Sequence, residues 1–510
     1  MTSLIEALSD SAASAVDDFY GKLSRMPKSR VILEMLDESE LEHLKARQIQ
    51  NLMSLAAPGL KASDHIETAL RVGRVHAIVG LDKEELVQSR GILAASVFRL
   101  IGREVDSRAL SLFTRRLNDD LMWQLKAYQK IEDAQQSALL EITRLAWEST
   151  SYTDLIHGVI EGLSKHEEIA GCAIGRPDEQ GVFHFEAVAG AIEGYLTQLL
   201  EVPDTQIVVS AADPRGQGPV GRAWRSGSIE RVINYRTHSH TTPWREIALQ
   251  HGLRSCAAVP IRAPGEPTFA VLLLHSKLPG GFIGLHQTAF LDMLQTMLGC
   301  AIHRFGGTEG VLAAIPIADR QHLAALARSE ALRTWYQPML DLHTGVATKV
   351  EALARIVDGD LLLTPGQFLP AMVLDDLLEI YVRGFEHALA DHNRWLADGV
   401  DLGLSVNLPP AGLSDIRYFN ATRDALERHR VPPARVTLEV LETGDLSLSH
   451  GEHAILSRFK TLGVMLAQDD LGAGHSGLGR LRQLPFDWIK IDRDMVKIDG
   501  NDALDVLRFV

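Results

Sequence analysis

Through the first 130 residues apolar side chains recur every three to four positions, with Pro27 and Pro58 as the breakers, which predicts helices and no strands. From Asn118 to Trp147 the pattern predicts one long helix. Its seam is Leu121, Leu125, Tyr128, Leu139, Ile142 and Ala146, interrupted by Glu132 and Gln135. That pattern suits a dimeric signalling helix or an amphipathic helix packed on its own domain. After about residue 150 the texture becomes a helix, then the β-rich runs "GCAIGR", "VFHFEAVAG", "SCAAVPI" and "FAVLLLHS", then a closing helix, which predicts an α+β domain. From about 320 strand and helix patterns alternate, implying parallel strands joined by crossover helices. The candidate strands are "TWYQPMLDL", "TKVEALARI", "LGLSVNL", "RVTLEVLE", "VMLAQDD" and "DWIKID".

Composition changes this picture little. The 510 residues suffice for about three domains, and 46% hydrophobic with 23% charged residues is ordinary for a globular chain. A formal charge of -15 argues against broad electrostatic binding to nucleic acid or an anionic membrane, so a phosphorylated ligand would need local cations or metals. Three cysteines without a CxxC pair fit a reducing compartment, and the cytoplasm is the expected location. The acidic start "MTSLIEALSDSAASAVDDFY" lacks the pattern of a signal peptide, and "FAVLLL" is too short to span a bilayer.

The chemistry concentrates at the C-terminal ends of the last group of strands: Glu351, Asn407, Glu439, Asp469 with Asp470, and Lys490. One acid near a strand end is usually a helix cap or a solvated loop residue. Five strands aiming oxygen ligands and an ammonium at one mouth suggest a hard divalent cation such as magnesium or manganese. The motifs "EALAR", "SVNL", "LEVLET", "DDLGAGHSGL" and "DWIKID", in this order, resemble the EAL-type cyclic di-GMP phosphodiesterase domain over residues 320–510. The resemblance implies a TIM-type barrel that hydrolyses cyclic di-GMP to pGpG. It also implies two divalent cations, Mg2+ or Mn2+, held by Glu351, Asn407, Glu439, Asp469 and Asp470. By the same resemblance Lys490 contacts the attacking water, Gln337, Leu353 and Arg355 meet the substrate, and Glu442 orders the glycine-rich loop. Leu471, Ala473, His475 and Gly477 depart from the Phe, Thr, Tyr and Ser common in that loop. Six strands cannot close an eight-stranded barrel, and "NDALDVLRFV" reads as a helix cut before its stop signal, so the barrel is expected to lack its last two strands.

Two further resemblances cover the rest of the chain. "GRVHAIVGL", with "DDFYGKL" upstream, resembles the globin domain of globin-coupled sensors over residues 1–130. That implies an all-α haem domain with His76 as proximal ligand and Tyr20 beside a bound diatomic gas such as O2. On the stripe Ala69, Val72, His76 and Val79, a core histidine without haem is the plainer alternative. "GQGPVGRAWRSGSIERVINY" with "HGLRSCAAVPIRAPGEPTFAVLLLHS" resembles a GAF domain over 150–305, either ligand-binding or a structural relay. The expected organisation is a globin sensor at 1–130, a linking helix at 119–148, the GAF-like domain at 150–305 and the EAL domain at 320–510. Function is expected to be gas-regulated cyclic di-GMP hydrolysis by a homodimer. A silent cyclic di-GMP receptor or protein-interaction adaptor remains the alternative, and a haem carrier would explain the first domain only.

Overall fold

The computed structural model describes residues 4–101, 105–149, 151–305, 314–441, 450–471 and 486–491, divided into two compact units, residues 1–317 and 318–510.

The first unit begins with helices α1 (Leu4–Leu23), α2 (Pro27–Glu34), α3 (Glu38–Ala56), α4 (Ala62–Ile78), α5 (Lys83–Ile101) and α6 (Ser107–Glu148). Asp106 caps α6 by accepting hydrogen bonds from the amides of Arg108 (2.8 Å) and Ala109 (3.1 Å). Its 42 residues make a rod about 63 Å long. The face that α6 buries includes Phe113, Leu117, Gln124, Tyr128, Gln135 and Ile142. Of the expected seam, Tyr128 and Ile142 are buried while Leu121 and Leu125 are only half-buried, with Met122 exposed beside them. The two polar interruptions have partners: Gln135 turns inward and Glu132 pairs with Lys83 at 2.6 Å. Close packing of α4 on α6 needs Gly73, because a Cβ there would stand 2.5 Å from the Cα of Gln124.

The unit continues through α7 (Tyr152–Ser164), β1 (Gly171–Pro177), β2 (Phe183–Gly190), α8 (Glu193–Glu201), α9 (Pro219–Ser226), β3 (Glu230–Val232), α10 (Arg245–Gln250), β4 (Ser255–Ile261), β5 (Ala270–Ser276) and α11 (Leu285–Arg304). The five strands form an antiparallel sheet in the order β2-β1-β5-β4-β3. Strand β3, inside "SIERVINY", is too short to show a period and escapes the sequence reading. Each face of the sheet carries its own apolar core, one shared with the C-terminal part of α6, α7 and α11, the other with α8 to α10. The helical segment and the sheet domain meet at Glu168, whose side chain is sealed in. Gln135 of α6 donates to its Oε1 at 2.7 Å, and Gln287 of α11 donates to its Oε2 and to the carbonyl of Ile78, each at 3.1 Å. Burial raises the Glu168 pKa, and the two amides only partly offset this.

The second unit comprises α12 (Ile317–Ala327), β6 (Leu332–Leu340), β7 (Ala347–Asp358), β8 (Leu361–Leu363), α13 (Pro365–Phe368), α14 (Leu374–Ala397), β9 (Gly403–Leu408), α15 (Ile416–His429), β10 (Val436–Leu441), α16 (His450–Leu462), β11 (Met465–Leu471) and β12 (Trp488–Ile491). All six expected strands form, and β8 joins them on the side of β7, so the described sheet has seven strands and not six. The path β12-β11-β10-β9-β7 is parallel, as alternation implied. The expectation of parallel strands throughout is corrected at β6, which pairs antiparallel with β7. Only Asp341–Val346 separates the two, too short a link for a crossover. Asp341 closes the turn by accepting from the amides of His343 and Thr344. Among the described residues no helix is long and apolar enough to cross a membrane.

Gly73→Ala is expected to force α4 off α6 and cost about 1–3 kcal/mol of stability, seen as an earlier urea midpoint for the first unit. An unchanged midpoint would show that the helices separate freely at this point.

Candidate functional site

Alternation along the parallel strands sorts the two chemistries of the second unit onto opposite faces. Leu404, Val406 and Leu408 of β9, Leu438 and Val440 of β10, and Leu466 of β11 join the apolar core that α14, α15 and α16 cover. The residues between them, Ser405 and Asn407, Thr437 and Glu439, and Asp469, fall on the other face. Register aligns them: Glu351 lies opposite Ser405, and Asn407 opposite Glu439.

Lys490 of β12 stands at the centre. Its Nζ lies 2.6 Å from Glu439 Oε2, 3.1 Å from Glu351 Oε2 and 3.1 Å from Asp469 Oδ1. Asn407 donates through Nδ2 to Glu351 Oε1 at 3.0 Å, and Ser405 donates to Glu439 Oε1 at 2.6 Å. Glu439 is completely buried. Burial pushes its pKa up and the Glu351 charge adds to this, while Lys490 and Ser405 pull it back only in part. Burial alone would lower the Lys490 pKa, but the surrounding carboxylates, Glu439 first, outweigh it and the ammonium is held charged. Below this cluster Lys349 bonds to Thr437 Oγ1 at 2.9 Å and lies 4.3 Å from the centre of the Trp488 ring.

The strands thus bring together five of the expected residues, Glu351, Asn407, Glu439, Asp469 and Lys490. Gln337 of β6 is the register partner of Glu351. Leu353 and Arg355 follow on the same face of β7, half-buried, with Arg355 bonded to the carbonyl of Ala354 at 2.8 Å. Asp470 continues the backbone of β11. Glu442 and the glycine-rich loop from Gly472 onward lie outside the described residues. Ser405 was missed by the sequence reading, although its place two residues before Asn407 puts it on the site face by period alone.

A divalent cation suits this donor set in kind. All four donors offer hard oxygen ligands, and the pocket already accommodates a positive charge. Among the described residues no three acidic, His or Cys side chains stand preassembled around a metal point.

In the first unit His76, on α4, is held by α6. Its Nδ1 lies 3.1 Å from Gln124 Oε1, and the Gln124 amide nitrogen donates to Asp120 at 2.7 Å. Asp120 is also paired with Arg90. With its amide nitrogen committed to Asp120, Gln124 turns its oxygen to His76, so Nδ1 carries the proton and Nε2 keeps its lone pair. Burial lowers the His76 pKa to about 4, keeping the ring neutral at ordinary pH. Gln124 and Asp120 are buried polar residues one helical turn apart, a spacing the sequence displays without marking it as special. Tyr20 lies on α1, in the apolar core with Phe19, Leu52 and Val97. Burial raises its pKa, which keeps the phenol protonated.

Comparison with known proteins finds a GAF domain at residues 152–302 and an EAL domain at residues 320–508. Neither match includes the helices before residue 152. The EAL match runs over nearly the whole domain, which corrects the expectation of a barrel lacking its last strands. The strand count was also short by β8, a three-residue strand that pairs antiparallel with β7. Over 188 residues the chain is 31% identical to the cyclic di-GMP phosphodiesterase RocR of Pseudomonas aeruginosa, spanning 36% of this chain and 48% of RocR. It is 32% identical over 192 residues to an uncharacterised protein of Mycobacterium tuberculosis, spanning 36% of this chain and 30% of that one. The solved PaMucR phosphodiesterase in complex with c-di-GMP is 30% identical over 37% of this chain and 78% of that one, with a TM-score of 0.34. The chain therefore spans less than half the length of RocR and of the mycobacterial protein.

Lys490→Met removes the ammonium that offsets three carboxylates, at an expected cost of about 3 kcal/mol in metal-free buffer. Adding MnCl2 should recover more of the melting temperature in this variant than in the wild type. Equal recovery in both would show that the lysine and the cation do not share one place.

Proposed function

We propose that the second unit hydrolyses cyclic di-GMP to linear pGpG. The observation that carries this reading is the convergence of Glu351, Asn407, Glu439, Asp469 and Lys490 from five adjacent strands onto one point. The EAL match and the names of the relatives support it. Two divalent cations, Mg2+ or Mn2+, held by Glu351, Asn407, Glu439, Asp469 and Asp470, would lower the pKa of a bound water and offset charge on the phosphate.

The chain's own part is to bind, orient and hold charge. Lys490 holds its ammonium beside Glu351 and Asp469, where it would orient the attacking water. Gln337 and Arg355, on the same face as Glu351, hold the substrate against Leu353. Water adds to phosphorus and the P–O3′ bond breaks, so the product retains its 5′-phosphate. Glu439 and Asp469 are buried, and Ser405 and Asn407 fix one oxygen each of Glu439 and Glu351.

The helical segment would be the sensor in this reading, with His76 the residue that would hold haem and Tyr20 the residue that would meet a diatomic gas. The polar chain from Arg90 through Asp120 and Gln124 supports the assignment, because it leaves the lone pair of His76 Nε2 available to an iron. Gas binding alters the phosphodiesterase only through a difference in stability between two states of the chain.

The full chain with Mn2+ is expected to release pGpG from cyclic di-GMP, and Glu351→Ala to abolish that release. No product from the wild type with Mn2+ or Mg2+ would refute the assignment. Haem should bind once per subunit with a Soret band that His76→Ala removes and Glu351→Ala leaves in place. A Soret band unchanged in His76→Ala would rule out the proximal role.

A further inference from the structure

Glu439 has two oxygens to satisfy in a place that solvent does not reach, and Lys490 takes only Oε2. The other oxygen accepts from the hydroxyl of Ser405, itself 1% exposed, on the neighbouring strand β9. Two residues further along β9, Asn407 holds Oε1 of Glu351 and leaves Oε2 to Lys490. Each glutamate therefore has one oxygen tied to a β9 side chain and the other turned to the centre.

We propose that Ser405 is a positioning residue for the phosphodiester hydrolysis: its hydroxyl fixes the Glu439 carboxylate so that Oε2 faces the cation at the centre. The inference rests on the phosphodiesterase reading. A cation that binds Oε2 of Glu439 would change the partner of that oxygen and leave Oε1 with Ser405. Ser405 thus serves in both states, and the carboxylate need not turn when the charge beside it changes. Without the hydroxyl, Oε1 would be buried with no donor. The side chain would then swing to find one, and the oxygen aimed at the cation would swing with it. Partners one step behind a metal ligand commonly govern affinity and rate in this way.

The test compares the full-length wild type with Ser405→Ala, Ser405→Thr and Ser405→Val by calorimetric titration with Mn2+, together with steady-state cyclic di-GMP hydrolysis. Thr and Val are isosteric and differ in the hydroxyl alone, so this pair isolates the hydrogen bond even if the Ala variant folds poorly. Ser405→Ala and Ser405→Val are expected to bind Mn2+ about 10- to 100-fold more weakly and to lose kcat while KM for cyclic di-GMP holds. Ser405→Thr should recover both. Equal Mn2+ affinity in the Thr and Val variants would overturn the positioning role while leaving the phosphodiesterase reading in place. A wild type that neither binds Mn2+ nor releases pGpG would overturn both.

Discussion

The second unit depends on one ammonium set among three carboxylates. Glu439 cannot remain ionised in a fully buried position without a cation, because the cost of desolvating it exceeds what a single hydroxyl returns. That cation arrives from β12, 139 residues after Glu351 and 51 after Glu439. The charge balance is therefore complete only when β7, β9, β10, β11 and β12 lie side by side. A long separation in sequence adds little to the cost of closing the chain, since that cost grows only with the logarithm of loop length. The oxygens that surround Lys490 are of the kind that would also suit a divalent ion.

Much of this was legible in the sequence because it follows from period. Glu351, Asn407, Glu439 and Asp469 were found as polar residues at the C-terminal ends of candidate strands, and in β9 and β10 the alternation of apolar and polar residues separates the covered face from the site face. What was not legible depends on contacts across the chain. Nothing local says that Gln135 turns inward, because its reason is Glu168 on another element. Ser405 looked like an ordinary strand hydroxyl, because its partner lies 34 residues away. The β6–β7 pair ran antiparallel for a local reason that was overlooked, the brevity of a link built around Asp341. Strands β3 and β8 each have three residues, fewer than a period can display.

Buried amides do a similar job at several points of the first unit. Gln124 stands between Asp120 and His76, and Gln287 bridges the carbonyl of Ile78 to Glu168, which Gln135 also holds. An amide can donate and accept at once, so it passes orientation from one neighbour to another without adding charge to a buried place. A carboxylate or an ammonium in these positions would carry a larger desolvation cost. The arrangement ties the end of α4, two residues after His76, to the start of α11 in the sheet domain.

Gln124 and Gln135 are eleven residues apart on one uninterrupted helix, about three full turns, so they project from the same side of α6 some 16 Å from each other. The helix works as a keyed shaft with a tooth at each end, one meshed with the His76 imidazole and the other with the Glu168 carboxyl. Angular alignment of the two teeth depends on the number of residues between them. One added residue would turn one tooth by about 100° relative to the other and leave both helical segments intact but out of phase. The spacing of two glutamines is thus a timing element of the molecule, set by chain length and independent of the identity of the residues between them.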